Sequence, residues 1–293
     1  MPLESAVTMI ERAVGGGYAV GYFESWNLES LEGVIDAAEE TRSPIIVGFN
    51  GDFLSHTARA AAERLSWYGA LGRAAAETAS VPCGLIFNEC GRDDWIRLAV
   101  AAGFNLVMPI DHGEGCEAYL RRVTEIVRYA HAEGVAVEAE LGELPDGLER
   151  DEGGSPTDPC AAAEFVGQSG VDLLAVSVGN VHKKVRGEQG LDFELLSALG
   201  RSVSVPLVLH GGSGIAADAL AKAVSAGVAK VNYGTYLKQR AVAALREALG
   251  RDCRDPHRLL GYGGGEDLMV VVRRAVCDAV LERIELLGCC GKG

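Results

Sequence analysis

The feature that most constrains this sequence is a regular alternation between short apolar, β-branched runs and longer segments of helical periodicity. Eight such runs predict strands, at residues 18–23, 44–49, 81–88, 106–110, 136–142, 173–179, 206–211 and 229–234. The segments between them, such as LESLEGVIDAAEE from residue 28 and EAYLRRVTEIVRYAHAEG from residue 117, are predicted to be helices. Apolar strands that each precede a helix are typical of a parallel sheet covered on both faces.

Eight strand–helix units in 293 residues predict an α/β fold, a (β/α)8 TIM barrel that forms a single domain over residues 1–293. A doubly wound open sheet is the alternative, but its usual GxGxxG turn is missing after the first predicted strand. Residues 255–287 predict one or two extra C-terminal helices outside the barrel. The polar segment 143–159, rich in Gly and Pro, follows the fifth strand and predicts a lid or a surface loop.

Composition narrows the class of partner and the compartment. The net charge is −14 and the longest basic cluster is KKVR at 183–186, so nucleic acid is not an expected partner. The first 14 residues form an amphipathic pattern with charges inside it, and no apolar run reaches ~18 residues, so neither a secretory signal nor a membrane span is expected. Eight cysteines without a CxxC pair predict reduced thiols and a cytoplasmic protein.

Polar side chains stand within or just after most of the predicted strands, where barrels of this kind carry their chemistry. They are Glu24, Asn88, Glu89, Asp111, His112, Glu138, Glu140, His182, His210, Asn232 and Thr235. His182 and His210 end neighbouring strands. Two imidazoles with a carboxylate from a third strand make a metal site with an open position. The alternative is two histidines that are hydrogen-bonded at the starts of their loops.

The glycine-rich turn after His210, residues 211–214, predicts an anion site. Glycines let backbone N–H groups converge on an anion, and the helix predicted after this turn adds its positive end. A second turn of this type, VNYGT, follows the eighth predicted strand. Because the loops after strands seven and eight are recurrent phosphate sites in barrels, the two turns predict a phosphorylated small-molecule substrate.

Several segments together resemble the metal-dependent class II ketose-bisphosphate aldolases, which include the fructose- and tagatose-bisphosphate enzymes. The segments are GYAVGYF from residue 17, AAEETRSPIIVGF from 37, VEAELGEL from 137, TDPCAAAEFV from 157, GVDLLAVSVGNVH from 170, VPLVLHGGSGI from 205, KVNYGT from 230 and DPHRLLG from 255. The resemblance runs almost from end to end. It implies a zinc-dependent barrel, a homodimer or homotetramer, that reversibly cleaves a ketose phosphate to dihydroxyacetone phosphate and an aldehyde.

The resemblance also implies roles for particular residues. His182 and His210 fall on two of the family's zinc ligands, and Glu140 falls on a carboxylate that can contact a second or displaced metal. The family's phosphate and dihydroxyacetone-binding turns correspond to Gly211, Gly212, Ser213, Asn232, Tyr233, Gly234 and Thr235.

The chain departs from the family's pattern after the third strand. Where the family has an aspartate for proton transfer and then its remaining zinc histidine, this chain has Asn88 and Glu89. Glutamate can ligate zinc beside two histidines, and as a harder ligand it makes Mn²⁺, Co²⁺ or Fe²⁺ more plausible. Asn88 can orient a substrate or donate a hydrogen bond, but it cannot be the general acid.

Three other changes cluster around the expected site. Glu24 stands in place of an asparagine, Ile110 in place of an aspartate, and Lys183, which could reach a substrate anion, in place of a glycine. The candidates for proton transfer are therefore Glu24, Asp111, His112 and Glu140. Each has a structural alternative, such as an ion pair for Glu24 or a helix cap for Asp111.

Three functions are consistent with these residues. The first is a class II aldolase-like lyase with a non-standard ketose phosphate as substrate. The second is isomerisation or epimerisation of a sugar phosphate through an enediolate. The third is a non-catalytic subunit that binds a sugar phosphate. The change of aspartate to Asn88 favours the second and third, whereas the retained histidine pair and both phosphate turns count against the third.

Overall fold

The computed structural model describes residues 3–142, 144, 154–181, 190–250 and 255–293. Eight parallel strands close into a barrel in the order β1 to β8, with β8 pairing back onto β1. The predicted (β/α)8 TIM barrel with extra C-terminal helices is confirmed. All eight predicted strands are present, and their ends differ from the prediction by at most three residues.

The bounds of the elements follow the predicted alternation. The strands are β1 Val20–Glu24, β2 Ile45–Asn50, β3 Cys83–Cys90, β4 Leu106–Pro109, β5 Ala136–Leu141, β6 Leu173–Val176, β7 Leu207–Leu209 and β8 Val228–Tyr233. The described helices are α1 Ala6–Gly16, α2 Leu28–Thr41, α3 Gly51–Ser55, α4 Leu65–Thr78, α5 Asp93–Ala102, α6 Cys116–Ala132, α7 Pro159–Ser169, α8 Phe193–Ser202, α9 Ala217–Ser225, α10 Thr235–Leu249, α11 Pro256–Leu259 and α12 Leu268–Ile284.

Side chains alternate between the interior of the barrel and the layer beneath the helices, as the period of two requires. On β8, Lys230 and Asn232 point to the interior, whereas the ring of Tyr233 stacks on Phe23 with 5.0 Å between centroids. The strands are buried along almost their whole length. This explains why they are apolar throughout, apart from the few polar residues that face the interior.

Local signals in the sequence fix the ends of several helices. Asn27 forms a capping box with Ser30 at the start of α2, because each side chain accepts a hydrogen bond from the other residue's backbone N–H. Asp158 caps α7, which then begins at Pro159. Gly103 follows α5 with φ of 94°, a left-handed conformation that glycine adopts without strain.

The C-terminal helices predicted over 255–287 lie outside the barrel. The long helix α12 packs against α2 and α10. Arg273 on α12 makes two hydrogen bonds to the carboxylate of Asp36 on α2, at 2.5 and 2.7 Å. This bidentate pair fixes the helix layer next to β1 and β8. Among the described helices, none has the length and apolar character needed to cross a membrane.

Candidate active site

Two adjoining cavities open where the strands end, the position at which barrels place their ligands. The first cavity has a volume of about 670 Å³ and the second about 530 Å³. Both are lined by Asn50, Phe53 and Glu89, which form the wall between them. His210 lines the first cavity, and Glu140 lines the second.

His210 is buried and lies among three carboxylates. Its Nδ1 is 2.7 Å from Glu140 Oε2 and 3.6 Å from Glu89 Oε1, while its Nε2 is 3.0 Å from Glu138 Oε1. Burial alone would lower the pKa of His210, but the negative charges of Glu140 and Glu138 outweigh it and raise the pKa to about 10. The imidazole is therefore held from one side by Glu138, with Nδ1 directed toward the other two carboxylates.

A buried polar chain crosses the barrel behind His210. Glu138, on β5, is fully buried and its Oε2 is 2.8 Å from Nζ of Lys230, on β8. The same ammonium donates to Oδ1 of Asn232 at 2.5 Å, which turns the amide nitrogen of Asn232 away from the lysine. Glu138 and Glu140 therefore both face the interior of the barrel, and Lys230 points the same way as Asn232. Glu138, Lys230 and Asn232 thus form a continuous chain of polar contacts that holds His210 from behind.

Strand β3 places Asn88 and Glu89 through an irregularity in its pairing. Its register with β4 shifts between Phe87 and Cys90, and Glu89 has φ of 53°, which is uncommon for a residue with a side chain. Asn50 Nδ2, on β2, donates to Glu89 Oε2 at 2.7 Å. Glu89 is therefore aimed toward His210 by the bulge and held there by Asn50. Asn88 is 2% exposed and lines the first cavity.

The two glycine turns lie side by side on the first cavity. Gly211 has φ of 67° and leads into a single turn of 3-10 helix at 212–214. Gly234 stands at the N-cap position of α10, where it contributes no capping side chain of its own. Ser213 Oγ accepts a hydrogen bond from the backbone N–H of Tyr236 at 3.2 Å and so links the two turns. The positive end of a 15-residue helix therefore faces this cavity.

The structure distinguishes among the residues predicted in these turns. Gly211, Ser213, Asn232, Gly234 and Thr235 all line the first cavity. Gly212 is buried beneath the turn, where a Cβ would clash with the side chain of Val231. Tyr233 also lines the first cavity, although it is fully buried and its ring stacks on Phe23.

Glu24, at the end of β1, is buried and ion-paired on the phosphate-turn side of the first cavity. Its Oε1 is 2.5 Å from Nζ of Lys238, on α10, which also lies 4.2 Å from the centroid of the Phe53 ring. Gly234 packs so closely against the carboxylate of Glu24 that a Cβ there would clash with Oε2. The predicted pairing of Glu24 with a cation is thus observed, although the partner is a lysine and not an arginine.

Asp111 lies on the wall of the second cavity, and the exposed His112 follows it in the chain. Asp111 Oδ1 accepts the backbone N–H groups of Gly113 and Glu114, at 2.9 and 3.0 Å, just before α6. Asp111 thus orders the turn before α6 but does not form the helix cap given above as its structural alternative, because the N-cap residue is Gly115 and no side chain caps the helix. His112 packs over Gly91. The predicted ligand His182, the predicted substrate contact Lys183 and most of the predicted loop, residues 143 and 145–153, lie outside the described residues.

The donor atoms around His210 fit a divalent metal ion in their chemistry. One imidazole nitrogen and two carboxylates converge, and a carboxylate on the other ring nitrogen is the usual support of a metal-binding histidine. Within the described ranges, no three His, Cys, Asp or Glu side chains are spaced as a complete metal site. His182, the other predicted imidazole, is not among those residues.

Several site residues were not predicted from the sequence. Asn50, which holds Glu89, and Lys238, which pairs with Glu24, line the first cavity, together with Tyr22. Asn180 Nδ2 donates to the backbone carbonyl of His210 at 3.1 Å. Asn50 follows the apolar run of β2 directly, so its position at a strand end was an available signal. Lys238 lies on a helix, and only the packing of α10 on the barrel brings it to the site.

Comparison with known proteins agrees with this barrel fold. Residues 4–292 match the family model described as fructose-bisphosphate aldolase class-II. The chain therefore belongs to the class II fructose-bisphosphate aldolase family.

Similar proteins span nearly the same length. The chain is 36% identical to the uncharacterized protein YdjI of Escherichia coli K12, over 94% of each chain. It is 32% identical to a fructose-bisphosphate aldolase of Geobacillus stearothermophilus, over 100% of this chain and 99% of the other. The crystal structure of the YdjI aldolase superposes with a TM-score of 0.83 at 35% identity, covering 100% of this chain and 99% of that one.

Proposed function

We propose that this protein is a metal-dependent aldolase-like lyase that reversibly cleaves a ketose phosphate to dihydroxyacetone phosphate and an aldehyde. The observation that carries the proposal is a pair of adjoining cavities that share Glu89, one containing His210 and both glycine turns and the other lined by Glu140. An aldolase needs two such compartments, because its reaction joins or separates two carbonyl compounds at one carbon–carbon bond. We further propose that the chain forms a single domain and works as a cytoplasmic homodimer or homotetramer.

The first cavity is the proposed site of the dihydroxyacetone phosphate half. The phosphate would lie on the backbone N–H groups of the two turns and the start of α10. Three buried polar atoms there have no hydrogen-bond partner among the described residues: Tyr22 Oη, Asn88 Oδ1 and Asn232 Nδ2. Leaving such atoms unpaired is costly, so their presence in a cavity wall favours a polar ligand.

The metal would be held by Glu89, His210 and His182, with zinc as the first choice and Mn²⁺, Co²⁺ or Fe²⁺ as alternatives. When bound, the ion supplies Lewis-acid polarisation of the ketose carbonyl. Glu138 keeps Nε2 of His210 occupied, which leaves Nδ1 as the donor atom. Asn50 restrains Glu89 in the same way.

Glu140 is the proposed proton carrier. Cleavage breaks the C3–C4 bond of the ketose, transfers the C4 hydroxyl proton to a base and leaves the electron pair on C3. Asn88 cannot accept that proton. Of the described candidates, Glu140 alone both lines the second cavity and contacts His210. Glu24 is committed to Lys238, and Asp111 to the turn before α6.

Isomerisation or epimerisation of a sugar phosphate is a second candidate, and the presence of Asn88 in place of the family's aspartate favours it. Aldol cleavage and isomerisation or epimerisation all pass through an enolate of the sugar phosphate. They differ in whether a carbon–carbon bond is broken.

Exchange of hydrogen at C3 of dihydroxyacetone phosphate tests the proposal without knowledge of the aldehyde. The metal-loaded protein is incubated with this compound in D₂O, and loss of the C3 proton signal is followed by NMR. Exchange that a chelator abolishes supports the proposal. A Glu140→Gln variant should still bind dihydroxyacetone phosphate while aldol cleavage is lost. Absence of exchange in protein with bound metal would refute the aldolase assignment.

A further inference from the structure

The two cavities differ in charge. The first contains the cations Lys238 and Arg246, the carboxylates Glu24 and Glu89, and the backbone N–H groups of the glycine turns. Lys238 is paired with Glu24, so Arg246 and the N–H groups are the positive partners that remain for a ligand. The second has four carboxylates on its wall, those of Asp52, Glu89, Asp111 and Glu140. None of the described residues that line the second cavity is a lysine or an arginine. Among the described residues, favourable partners for an anion therefore line the first cavity and not the second.

A metal ion at His210 would compensate only part of the charge in the second cavity. Glu89 and Glu140 are the two carboxylates that face Nδ1 of His210. Asp52 lies in the first turn of α3, and Asp111 lies beyond the end of β4. The donors to Asp111 are uncharged backbone N–H groups. Two negative charges thus remain on the wall after the metal is accounted for.

Arg122 lies behind the wall of the second cavity, and its guanidinium group already has partners. Arg122 on α6 donates to the backbone carbonyl of Ile110, which lines the second cavity. Its guanidinium is also ion-paired with Asp93 at 3.0 Å and with Glu114 at 2.8 Å. Both partners are carboxylates outside the wall of the second cavity. They neutralise the charge of Arg122, so this arginine does not offset the negative charge that a ligand in the second cavity would meet.

Carboxylates accept hydrogen bonds and do not donate them, so this wall suits hydroxyl groups and repels phosphate or carboxylate groups. We propose that the aldehyde half of the substrate, which occupies the second cavity, is an uncharged polyhydroxylated aldehyde. The ketose then carries one phosphate, held in the first cavity, and is not a bisphosphate. This inference rests on the proposed function for the placement of the two halves.

The test compares an aldehyde with its own phosphate ester. Aldol addition to dihydroxyacetone phosphate is measured with D-erythrose and with D-erythrose 4-phosphate, and the ratio of the two kcat/KM values is the readout. We expect the uncharged aldehyde to be preferred by about tenfold or more, because like charges in a partly desolvated cavity are strongly unfavourable. Equal use of the two aldehydes, or preference for the ester, would overturn the inference.

Variants test whether the carboxylates of the second cavity cause the preference for the uncharged aldehyde. In the double variant Asp52→Asn and Asp111→Asn, the ratio should fall toward one, even if turnover of both aldehydes decreases. Asp218→Asn is the control, because this exposed carboxylate on α9 is paired with Lys222 and lies on neither cavity. A ratio that does not change in the double variant would contradict the assignment.

A binding measurement separates this inference from the proposed reaction. With inorganic phosphate saturating the glycine turns, the affinity of each aldehyde for the metal-loaded protein is measured by NMR titration. Tighter binding of erythrose than of its phosphate ester supports the charge selection, even if no hydrogen exchange occurs and the lyase assignment fails. Binding of neither aldehyde, or tighter binding of the ester, would refute it independently of turnover.

Discussion

The buried ion pair behind His210 gives the sharpest stability prediction. Lys230 and Glu138 are both fully buried, with 2.8 Å between the ammonium and the carboxylate. Lys230→Met removes the cation and leaves the carboxylate in the interior, a change that costs about 3–5 kcal/mol when a buried pair is broken from one side. Because His210 still contacts Glu138, we expect the lower end of that range, about 3 kcal/mol.

The loss should also depend on pH with a definite sign. Burial alone would raise the pKa of Glu138, but the adjacent Lys230 outweighs it and lowers the pKa in the native protein. Its contribution is therefore present above the unfolded pKa of about 4.3 and is lost as the pH falls through the folded value. Without the lysine, only His210 still opposes the effect of burial, so we expect the folded pKa of Glu138 to rise. The penalty is then full at pH 8 and shrinks toward pH 5.

Urea unfolding of the metal-free protein, followed by circular dichroism, measures both effects. The free energy of unfolding of Lys230→Met should fall by about 3 kcal/mol at pH 8 and by less at pH 5. The double variant Lys230→Met and Glu138→Gln should recover most of the loss, because no uncompensated charge remains. A single variant within about 1 kcal/mol of the native protein, or a double variant no better than the single, would refute this account of the pair.

Three further substitutions have defined outcomes. Asp267→Asn should lower the urea midpoint at pH 7, and this loss should shrink as the pH falls. Backbone donors, chiefly the N–H of Gly263, lower the pKa of Asp267, so its stabilisation is fully present above the unfolded pKa of about 3.9 and is lost as the pH falls through the folded value. Gly234→Ala should weaken calorimetric binding of dihydroxyacetone phosphate, whereas Gly264→Ala, with open space around it, should not. Glu89→His should raise the affinity for Zn²⁺ relative to Mn²⁺ in competition with a chromophoric chelator, and an unchanged ratio would remove Glu89 from the ligand set.

The fold could be predicted because each level of the sequence agrees with it. The strands are apolar on both faces, and turn or capping residues such as Gly103 and Asp158 mark the ends of helices. Periodicity also placed Glu138 and Glu140 on the same side of β5. In the structure, Glu138 contacts Nε2 of His210 and Glu140 contacts Nδ1. This difference depends on the curvature of the barrel, which the alternation of residues along one strand does not contain.

Other parts of the site depend on contacts between distant segments. Lys238 reaches Glu24 across 214 positions of the chain, and Asn50 reaches Glu89 across 39. Neither contact leaves a local pattern in the sequence. The charge contrast between the two cavities is of the same kind, because Asp52 lies in α3, Asp111 in the connection between β4 and α6, and Glu140 in β5. The sequence shows each of these acidic residues separately. Only the closed barrel shows that they line the same cavity.

The left-handed backbone at Glu89 has a consequence for how such a site can change over time. Among residues with a side chain, histidine, asparagine and aspartate are those that adopt this conformation most readily. A single substitution could therefore exchange the carboxylate for an imidazole while the bulge in β3 keeps its shape. In the metal site proposed above, the preference for a harder or a softer metal is then separable from the backbone that positions the ligand. Proteins that evolve from this barrel can therefore exchange a carboxylate ligand for an imidazole, or the reverse, without a change in the backbone.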